Sequence, residues 1–161
     1  MKRLFYLLAA AAFTACGSAT TLSVMTFNMR YDNPEDGADN WRFRRGRVAE
    51  VIASHGVDVF GTQELLANQL GDLKRLLPGY AAVGVGREDG AEAGEFSAVF
   101  YRRDRFTPLE SGTFWLSETP DVAGSKGWDG ACERVATWVV LHDREGGREF
   151  LFVNTHLDHV G

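Results

Sequence analysis

The chain has 161 residues, of which 45% are hydrophobic and 24% are charged, and its formal net charge is −5. This composition is typical of a globular protein and excludes a collagen-like, low-complexity or disordered chain. The net negative charge argues against broad non-specific binding to nucleic acid, although it is compatible with a local basic cleft.

Residues 1–19 have the pattern of a secretory signal. A basic start is followed by the apolar run Leu4–Phe13 and then by small residues. This run is too short to span a bilayer, which needs about 20 apolar residues. The letters FTAC also resemble a bacterial lipoprotein signal, in which Cys16 would carry a lipid anchor; the alternative is ordinary cleavage near Ala19. We therefore predict export to the periplasm, the extracellular space or a lipid-anchored envelope site. One partial domain is expected at 20–161, with no transmembrane helix after the signal.

Strand and helix patterns alternate in the first half of the remaining chain. Residues Thr21–Arg30 are rich in β-branched and aromatic side chains and predict a buried strand that delivers Asn28 near its end. A helix is predicted at Trp41–His55, a second strand at Val57–Glu64 and a second helix at Leu65–Leu77. This order predicts parallel neighbouring strands, whose carboxyl ends collect functional groups in α/β folds.

The first predicted helix has an apolar face and several basic residues. Asp39 or Asn40 can cap it, and the predicted apolar face consists of Val48, Val51, Ile52 and His55. The basic residues are Arg42, Arg44, Arg45 and Arg47. Such a run is typical of a solvated face, with contact to a phosphate as the alternative.

After Tyr80 the chain is predicted to be mostly antiparallel β-structure. Short strand patterns occur at 80–86, 95–102 and 112–117, and the segments 134–143 and 148–157 predict a hairpin. Trp115 and Trp138 are expected to pack between sheets, whereas Trp128 lies in a glycine-rich loop and could line a cleft.

Polar side chains follow three of the predicted strands. They are Asn28, Glu64 and the terminal cluster Asn154, His156, Asp158 and His159. Carboxylate and amide oxygens suit Mg²⁺ or Mn²⁺, and a nearby imidazole can act as an acid or base. Structural alternatives exist for each residue, because Glu64 could stabilise a helix start and His156 could be a hydrogen-bonded core residue.

The letters HLDH allow a different metal site. They are similar to part of the H-x-H-x-D-H zinc motif of metallo-β-lactamase-like hydrolases, whose histidines and aspartate hold two Zn²⁺ ions. Asn154 stands where that motif has its first histidine, which removes one ligand. A zinc hydrolase is therefore the less favoured alternative.

A longer series of motifs favours another family. In chain order the motifs are MTFNMR, GTQE, FWLSETPD, RVATW and NTHLDH, and they cover the chain from about Leu22 to Gly161. This series closely resembles the endonuclease/exonuclease/phosphatase family of metal-dependent phosphodiesterases, which includes pancreatic deoxyribonuclease, and it is most similar to the secreted bacterial members. The resemblance implies a Mg²⁺-dependent phosphoric-ester hydrolase, with Mn²⁺ as an alternative ion. Its substrate would be nucleic acid, a phospholipid head group or a sugar phosphate.

The resemblance also implies a role for each matching residue. Glu64 would be a direct Mg²⁺ ligand, and Asn28 would lie beside the metal and the phosphate. His156 would contact the scissile phosphate and act with the acid/base machinery, and Glu95 would orient this histidine. Arg134 would grip a substrate phosphate, because a planar guanidinium is a bidentate donor. The alternative for Glu95 and Arg134 is a structural or surface ion pair.

The family fold is a four-layer α/β/β/α sandwich whose second half supplies the motifs GDFN and SDH. Neither motif occurs in this sequence. We therefore expect the N-terminal part of an α/β sandwich, truncated before the second half, with one sheet face uncovered. Two hypotheses follow: an exported hydrolase represented by its N-terminal portion, or a catalytically inactive remnant with at most a binding role. A protein consisting of residues 20–161 alone is expected to have negligible phosphodiesterase activity.

Overall fold

A computed structural model describes residues 20–159 as two β-sheets and a helical layer. The predicted signal, including Cys16, lies outside the described residues and stays a prediction. The strands are β1 Val24–Asn28, β2 Val59–Gln63, β3 Tyr80–Val83, β4 Val99–Arg102, β5 Phe106–Trp115, β6 Val135–Asp143 and β7 Arg148–Thr155. The helices are α1 Trp41–Ser54 and α2 Ala67–Leu76, and a 3-10 turn occupies Pro34–Asp39.

The first sheet has the strand order β1-β2-β4-β3, and the second has the order β5-β6-β7. Strands β1 and β2 are parallel, as the strand–helix–strand pattern predicts, and the remaining pairs are antiparallel. The predicted hairpin is confirmed, with Asp143 opposite Arg148 at its closed end. The α/β fold class predicted from the sequence is therefore confirmed.

Each face of the first sheet packs against a different layer. One face buries Phe60 and Phe100 against Trp41 and Ile52 of α1 and Leu73 of α2. The rings of Phe60 and Phe100 stack with centroids 4.7 Å apart. Burial of apolar surface on this scale stabilises the sandwich by roughly 25 cal/mol for each Å² removed from water.

The opposite face of the first sheet packs on the second sheet. Val59 and Val99 meet Phe106, Val139 and Leu141 in this second core cluster. Residues 20–159 thus form three layers in the order α/β/β. Within this range no helix covers the outer face of the second sheet, where Leu151 and Val153 are exposed.

A buried ion network connects this inter-sheet region to the segment that precedes β1. Arg105 is almost fully buried, and it pairs with Asp58 at 2.7 Å and with Asp143 at 2.8 Å. Asp58 also accepts a hydrogen bond from the backbone N–H of Ser23. The Arg105 guanidinium hydrogen-bonded to Asp143 lowers the pKa of that carboxyl group to about 2.

Helix α1 is capped as predicted but buries a different face. The side chain of Asn40 accepts a hydrogen bond from the N–H of Arg42. The predicted face was partly wrong, because Val51 is 40% exposed and His55 is also exposed. The buried residues are Trp41, Val48, Ala49 and Ile52. Trp41 fixes the orientation of α1 about its axis, because its indole N–H donates a hydrogen bond to Asp72 of α2 at 2.8 Å.

Two of the α1 arginines are not simply solvated. Arg44 donates to the backbone carbonyl groups of Met29 and Arg30, and Arg45 pairs with Asp72 at 3.2 Å. These contacts attach the helix to the segment that follows β1. Arg44 and Arg45 thus have structural roles, and the phosphate contact considered for one of the α1 arginines stays a prediction.

Two further expectations about burial were wrong. Strand β1 lies at an edge of the first sheet and is only partly buried, with Val24 53% exposed. Trp138 alternates with the inward-facing Thr137 and Val139 of β6, so it lies on the outer face of the second sheet. Trp115 is buried as predicted. Among residues 20–159, neither helix has the length and apolar character needed to cross a membrane.

Candidate active site

The parallel strands β1 and β2 bring Asn28 and Glu64 together. Asn28 is the last residue of β1 and lies opposite Gln63, the last residue of β2. The Asn28 side-chain Nδ2 donates to Glu64 Oε1 at 2.9 Å, and the backbone N–H of Tyr31 donates to Glu64 Oε2 at 3.3 Å. The Asn28 Oδ1 atom accepts a hydrogen bond from the Arg30 N–H at 2.9 Å. The carboxylate is therefore held in place by donors from the end of the neighbouring strand.

Both strand ends have a left-handed backbone. Glu64 has φ 57° and Arg30 has φ 54°, and Trp128 is the third non-glycine residue with positive φ in the described part of the chain. This conformation costs an L-residue roughly 1–2 kcal/mol. Such strain persists only where the surrounding structure holds it, and it is concentrated at functional sites.

Glu95 reaches the same edge through a short bridge between two chain segments. The N–H of Phe96 donates to the carbonyl of Leu65 at 2.7 Å, and this antiparallel bridge brings the segment that contains Glu95 to the end of β2. Glu95 Oε2 forms an ion pair with Arg87 Nη1 at 2.7 Å. Its distance to His156 Nδ1 is 4.0 Å. The predicted proximity of Glu95 and His156 is thus present, while Arg87 is the partner in direct contact with the carboxylate.

The second sheet supplies Arg134 and His156. Arg134 immediately precedes β6 and His156 immediately follows β7, and these antiparallel strands place both residues at one end of the sheet. Arg134 Nη1 lies 3.4 Å from His156 Nδ1, and Arg134 Nη2 lies 3.4 Å from His159 Nδ1. Arg134 Nε donates to Asp158 Oδ2 at 3.2 Å, and Asp158 also accepts from the Cys132 N–H.

These segments surround one open cavity of about 310 Å³. Four of the predicted site residues line it: Glu64, Glu95, Arg134 and His156. Asn28 lines an adjacent cavity and contacts the site through Glu64. The structure therefore brings all five predicted site residues to the same end of the sandwich.

The sequence patterns did not identify Arg87, Arg30 and Tyr31, which also line this cavity. Arg87 is the most informative of them, because its Nε is buried without a hydrogen-bond partner among the described residues. The sequence feature that could have identified Arg87 is its spacing from Glu95. The backbone N–H of Arg87 donates to the carbonyl of Glu95 at 3.1 Å. Two charged residues of opposite sign on either side of the glycine-rich turn would have suggested this pair.

Asn154 has a structural position rather than a place in the cavity. Its side-chain Nδ2 donates to the carbonyl groups of Thr62 and Ala98, and its Oδ1 accepts from Gln63 Nε2. It is buried between the sheets, and its carboxamide lies against Gly61, where any Cβ atom would collide with it. A zinc site that begins at position 154 does not fit this arrangement.

The oxygen atoms of Glu64 and Asn28 are the ones suited to a divalent cation. No group of three or more His, Cys, Asp and Glu side chains is arranged as a metal site within residues 20–159. Mg²⁺ commonly uses one or two protein carboxylates and completes its shell with water and substrate oxygens. A held carboxylate at an open cavity therefore fits Mg²⁺ better than it fits Zn²⁺, which needs three or four protein ligands.

Known proteins resemble this chain along nearly all of the described range. The model of the Endonuclease/Exonuclease/phosphatase family matches residues 25–159. The crystal structure of an endonuclease/exonuclease/phosphatase from Bacteroides vulgatus is 50% identical with a TM-score of 0.87, over 89% of this chain and 55% of that one. The mannosyl-6-phosphatase of Bacteroides thetaiotaomicron is 48% identical with a TM-score of 0.85, over 88% of this chain and 53% of that one.

A more distant relative is the CCR4-Not complex 3'-5'-exoribonuclease subunit Ccr4 of Aspergillus clavatus. It is 25% identical over 89% of this chain and 26% of its own length. The chain thus spans about half the length of the similar solved structures and about a quarter of this curated relative. The family match over most of the chain agrees with the convergence of Glu64, Glu95, Arg134 and His156. The chain belongs to the endonuclease/exonuclease/phosphatase family.

Proposed function

We propose that the protein is a Mg²⁺-dependent phosphoric-ester hydrolase, with Mn²⁺ able to replace Mg²⁺. The observation that carries this proposal is the convergence of Glu64, Glu95, Arg134 and His156 on one open cavity. Carboxylates for a cation, a guanidinium for phosphate oxygens and an imidazole for proton transfer are together the groups that phosphate-ester hydrolysis requires.

Glu64 and Asn28 would hold the cation. Members of the family are generally dependent on a divalent metal. A bound Mg²⁺ would stabilise negative charge that develops on the phosphate. The hydrogen bond from Asn28 fixes the Glu64 carboxylate before any ligand arrives, which lowers the entropy lost on binding. Asn28 would contribute its amide oxygen after rotation of its side chain, since its Nδ2 now faces Glu64.

Arg134 and His156 would bind the phosphate from the side of the second sheet. The Arg134 guanidinium is oriented by Asp158, and its Nη1 lies beside the imidazole. A substrate phosphate placed against this pair on the cavity side would receive charge-assisted hydrogen bonds, which are about twice as strong as neutral ones. Glu95 would orient His156, and Arg87 keeps Glu95 next to the imidazole. In this arrangement His156 holds or delivers a proton at the scissile ester.

Two classes of substrate are suggested by the relatives. A sugar phosphate is supported by the 48% identity to a mannosyl-6-phosphatase, and an RNA phosphodiester by the 25% identity to an exoribonuclease subunit. The net charge of −5 favours the smaller substrate, because a long polyanion would be repelled. Phosphoric-ester hydrolysis is common to both classes and is the activity proposed.

The test is hydrolysis by the full-length protein, meaning the product of the complete gene, because residues 20–161 alone are expected to have negligible activity. Release of phosphate from mannose 6-phosphate and cleavage of bis(p-nitrophenyl) phosphate should require Mg²⁺, stop with EDTA and return when Mg²⁺ is restored. Glu64→Gln should abolish turnover, whereas the matched control Glu50→Gln, on the exposed surface of α1, should leave it unchanged. Turnover that survives EDTA or Glu64→Gln would contradict the proposal. Absence of turnover with every phosphate ester would favour a binding remnant.

A further inference from the structure

A second cavity of about 300 Å³ opens beside the candidate active site. Cys132 and Arg134 line both cavities, so the two spaces adjoin at the arginine proposed to bind phosphate. Its other walls are mainly apolar and include Leu116, Trp128 and Leu157. A phosphate at Arg134 would therefore have the rest of its molecule directed either into this cavity or into solvent.

Trp128 is presented to this cavity by a constrained loop. Its side chain is 71% exposed, although it is the largest apolar residue type, and its φ of 52° is left-handed. The Glu118 carboxylate accepts a hydrogen bond from the Trp128 N–H at 3.2 Å. The side-chain hydroxyl groups of Ser125 and Ser117 are hydrogen-bonded to each other at 2.7 Å. Gly127 packs so closely on Ser117 that a Cβ atom would lie 2.2 Å from the Ser117 Cα. These contacts fix the backbone that carries the indole, and the exposed ring offers an apolar face on which a ligand could stack.

The chemistry of the walls favours a sugar ring. One face of a pyranose carries C–H groups that pack on an indole, and its hydroxyl groups donate well to carboxylates such as Asp129 at the rim. A nucleic acid could also stack on Trp128, but its further phosphates would meet the carboxylates of Glu118 and Asp129. A single phosphate at Arg134 followed by a neutral ring would place one group in each of the two adjoining cavities.

We propose that this cavity is the subsite for the hexose ring of a sugar-phosphate substrate, with Trp128 as the stacking platform and Leu157 as a second apolar wall. The proposal rests on the proposed phosphoric-ester hydrolase activity and names its substrate class. Trp128 and Leu157 act on the leaving group of the ester, so they determine specificity and take no part in bond cleavage.

The experiment compares esters that differ only in the leaving group. With the full-length protein, Trp128→Ala should raise KM for mannose 6-phosphate roughly three- to tenfold, as expected for the loss of an aromatic stacking contact. Hydrolysis of glycerol 3-phosphate, which has no ring, should be unchanged. Leu157→Ala should shift KM in the same direction. The matched control Trp138→Ala, on the outer face of the second sheet, should leave both substrates unaffected, and thermal melting of each variant checks folding.

Two results would overturn the proposed subsite while the hydrolase activity stands. One is an equal loss with mannose 6-phosphate and glycerol 3-phosphate, and the other is a loss confined to adenosine 5'-monophosphate, which would assign the platform to a nucleobase. If no ester is hydrolysed, the proposed function fails, and the subsite is tested by ligand binding, measured through tryptophan fluorescence. Mannose 6-phosphate but not inorganic phosphate should then change the tryptophan emission, and Trp128→Ala should abolish the change. Equal responses to both ligands would overturn the subsite as well.

Discussion

Asn28 donates its side-chain amide to the Glu64 carboxylate at 2.9 Å, and this bond joins the ends of two parallel strands. The neutral Asn28 therefore lies within hydrogen-bond distance of the charged Glu64, where a second carboxylate would repel the first. The relationship makes position 28 a sensitive probe of cation binding at the site.

Asn28→Asp should make the protein less stable without metal and more responsive to metal. The new carboxylate would face Glu64 at hydrogen-bond distance, with a repulsion on the order of 1 kcal/mol near the surface. A divalent cation between the two groups would reverse that effect. Thermal melting with and without Mg²⁺ should show a larger metal-dependent rise for Asn28→Asp than for the natural protein. Asn28→Ala, which removes the hydrogen bond without adding charge, should not show this larger rise.

Glu64→Gly should be more stable than Glu64→Ala by roughly 1 kcal/mol, because glycine adopts a left-handed backbone without the clash of a Cβ atom. The natural φ of Glu64 is 57°. Both substitutions remove the same carboxylate, so both should be inactive, and chemical denaturation measures the difference that belongs to the backbone alone. Equal stability of the two variants would mean that position 64 relaxes out of the left-handed region.

Arg134→Lys should reduce kcat/KM by roughly ten- to a hundredfold while the charge is retained. A lysine supplies one point of positive charge, whereas Arg134 contacts Asp158, His156 and His159 with three different nitrogen atoms. Steady-state kinetics with a small phosphate ester measure the loss. Arg148→Lys, at an exposed position at the start of β7, is the matched control and should retain full activity. Full activity of Arg134→Lys would show that charge alone suffices.

The stability of the protein should decrease below about pH 4 through Asp143. Its pKa is lowered to about 2 by hydrogen bonds from Arg105, against 3.8 for an ordinary aspartate. The unfolded state therefore takes up the proton first, so this contribution is complete above the unfolded pKa and is lost as pH falls through the folded pKa. Its size is on the order of 2 kcal/mol.

Urea denaturation between pH 2 and pH 7 measures this effect. Asp143→Asn should lower the free energy of unfolding at pH 7 and should flatten its dependence on pH in the acid range. Asp121→Asn, at an exposed position, is the control and should follow the natural protein. An acid profile that Asp143→Asn leaves unchanged would assign the pH dependence to other carboxyl groups.

Local sequence patterns predicted which polar side chains lie together better than they predicted burial. Asn28, Glu64 and His156 were predicted because each lies at the end of a strand, and their assembly follows from parallel and antiparallel pairing. The start of β5 was not predicted, because the strand contains an irregularity between Pro108 and Glu110 that breaks the alternating pattern.

Other features depend on contacts between distant segments, which a local pattern does not contain. The buried face of α1 is set by the hydrogen bond from Trp41 to Asp72, 31 residues away along the chain. The edge position of β1 is set by the order of the strands. Arg87 was missed for a similar reason, because its role depends on the turn that folds it back onto Glu95.

The buried amide of Asn154 has a consequence for how the site is assembled during folding. It bonds to Thr62 and Gln63, which lie 92 and 91 residues earlier, so the sheets dock through contacts of high sequence separation. Pairs of this kind close large loops and form slowly. Glu64 and His156 belong to different sheets and meet only after that docking step. A refolding chain would thus regain helical circular dichroism before it regains a complete site, and the recovery of ligand binding would report the docking of the two sheets.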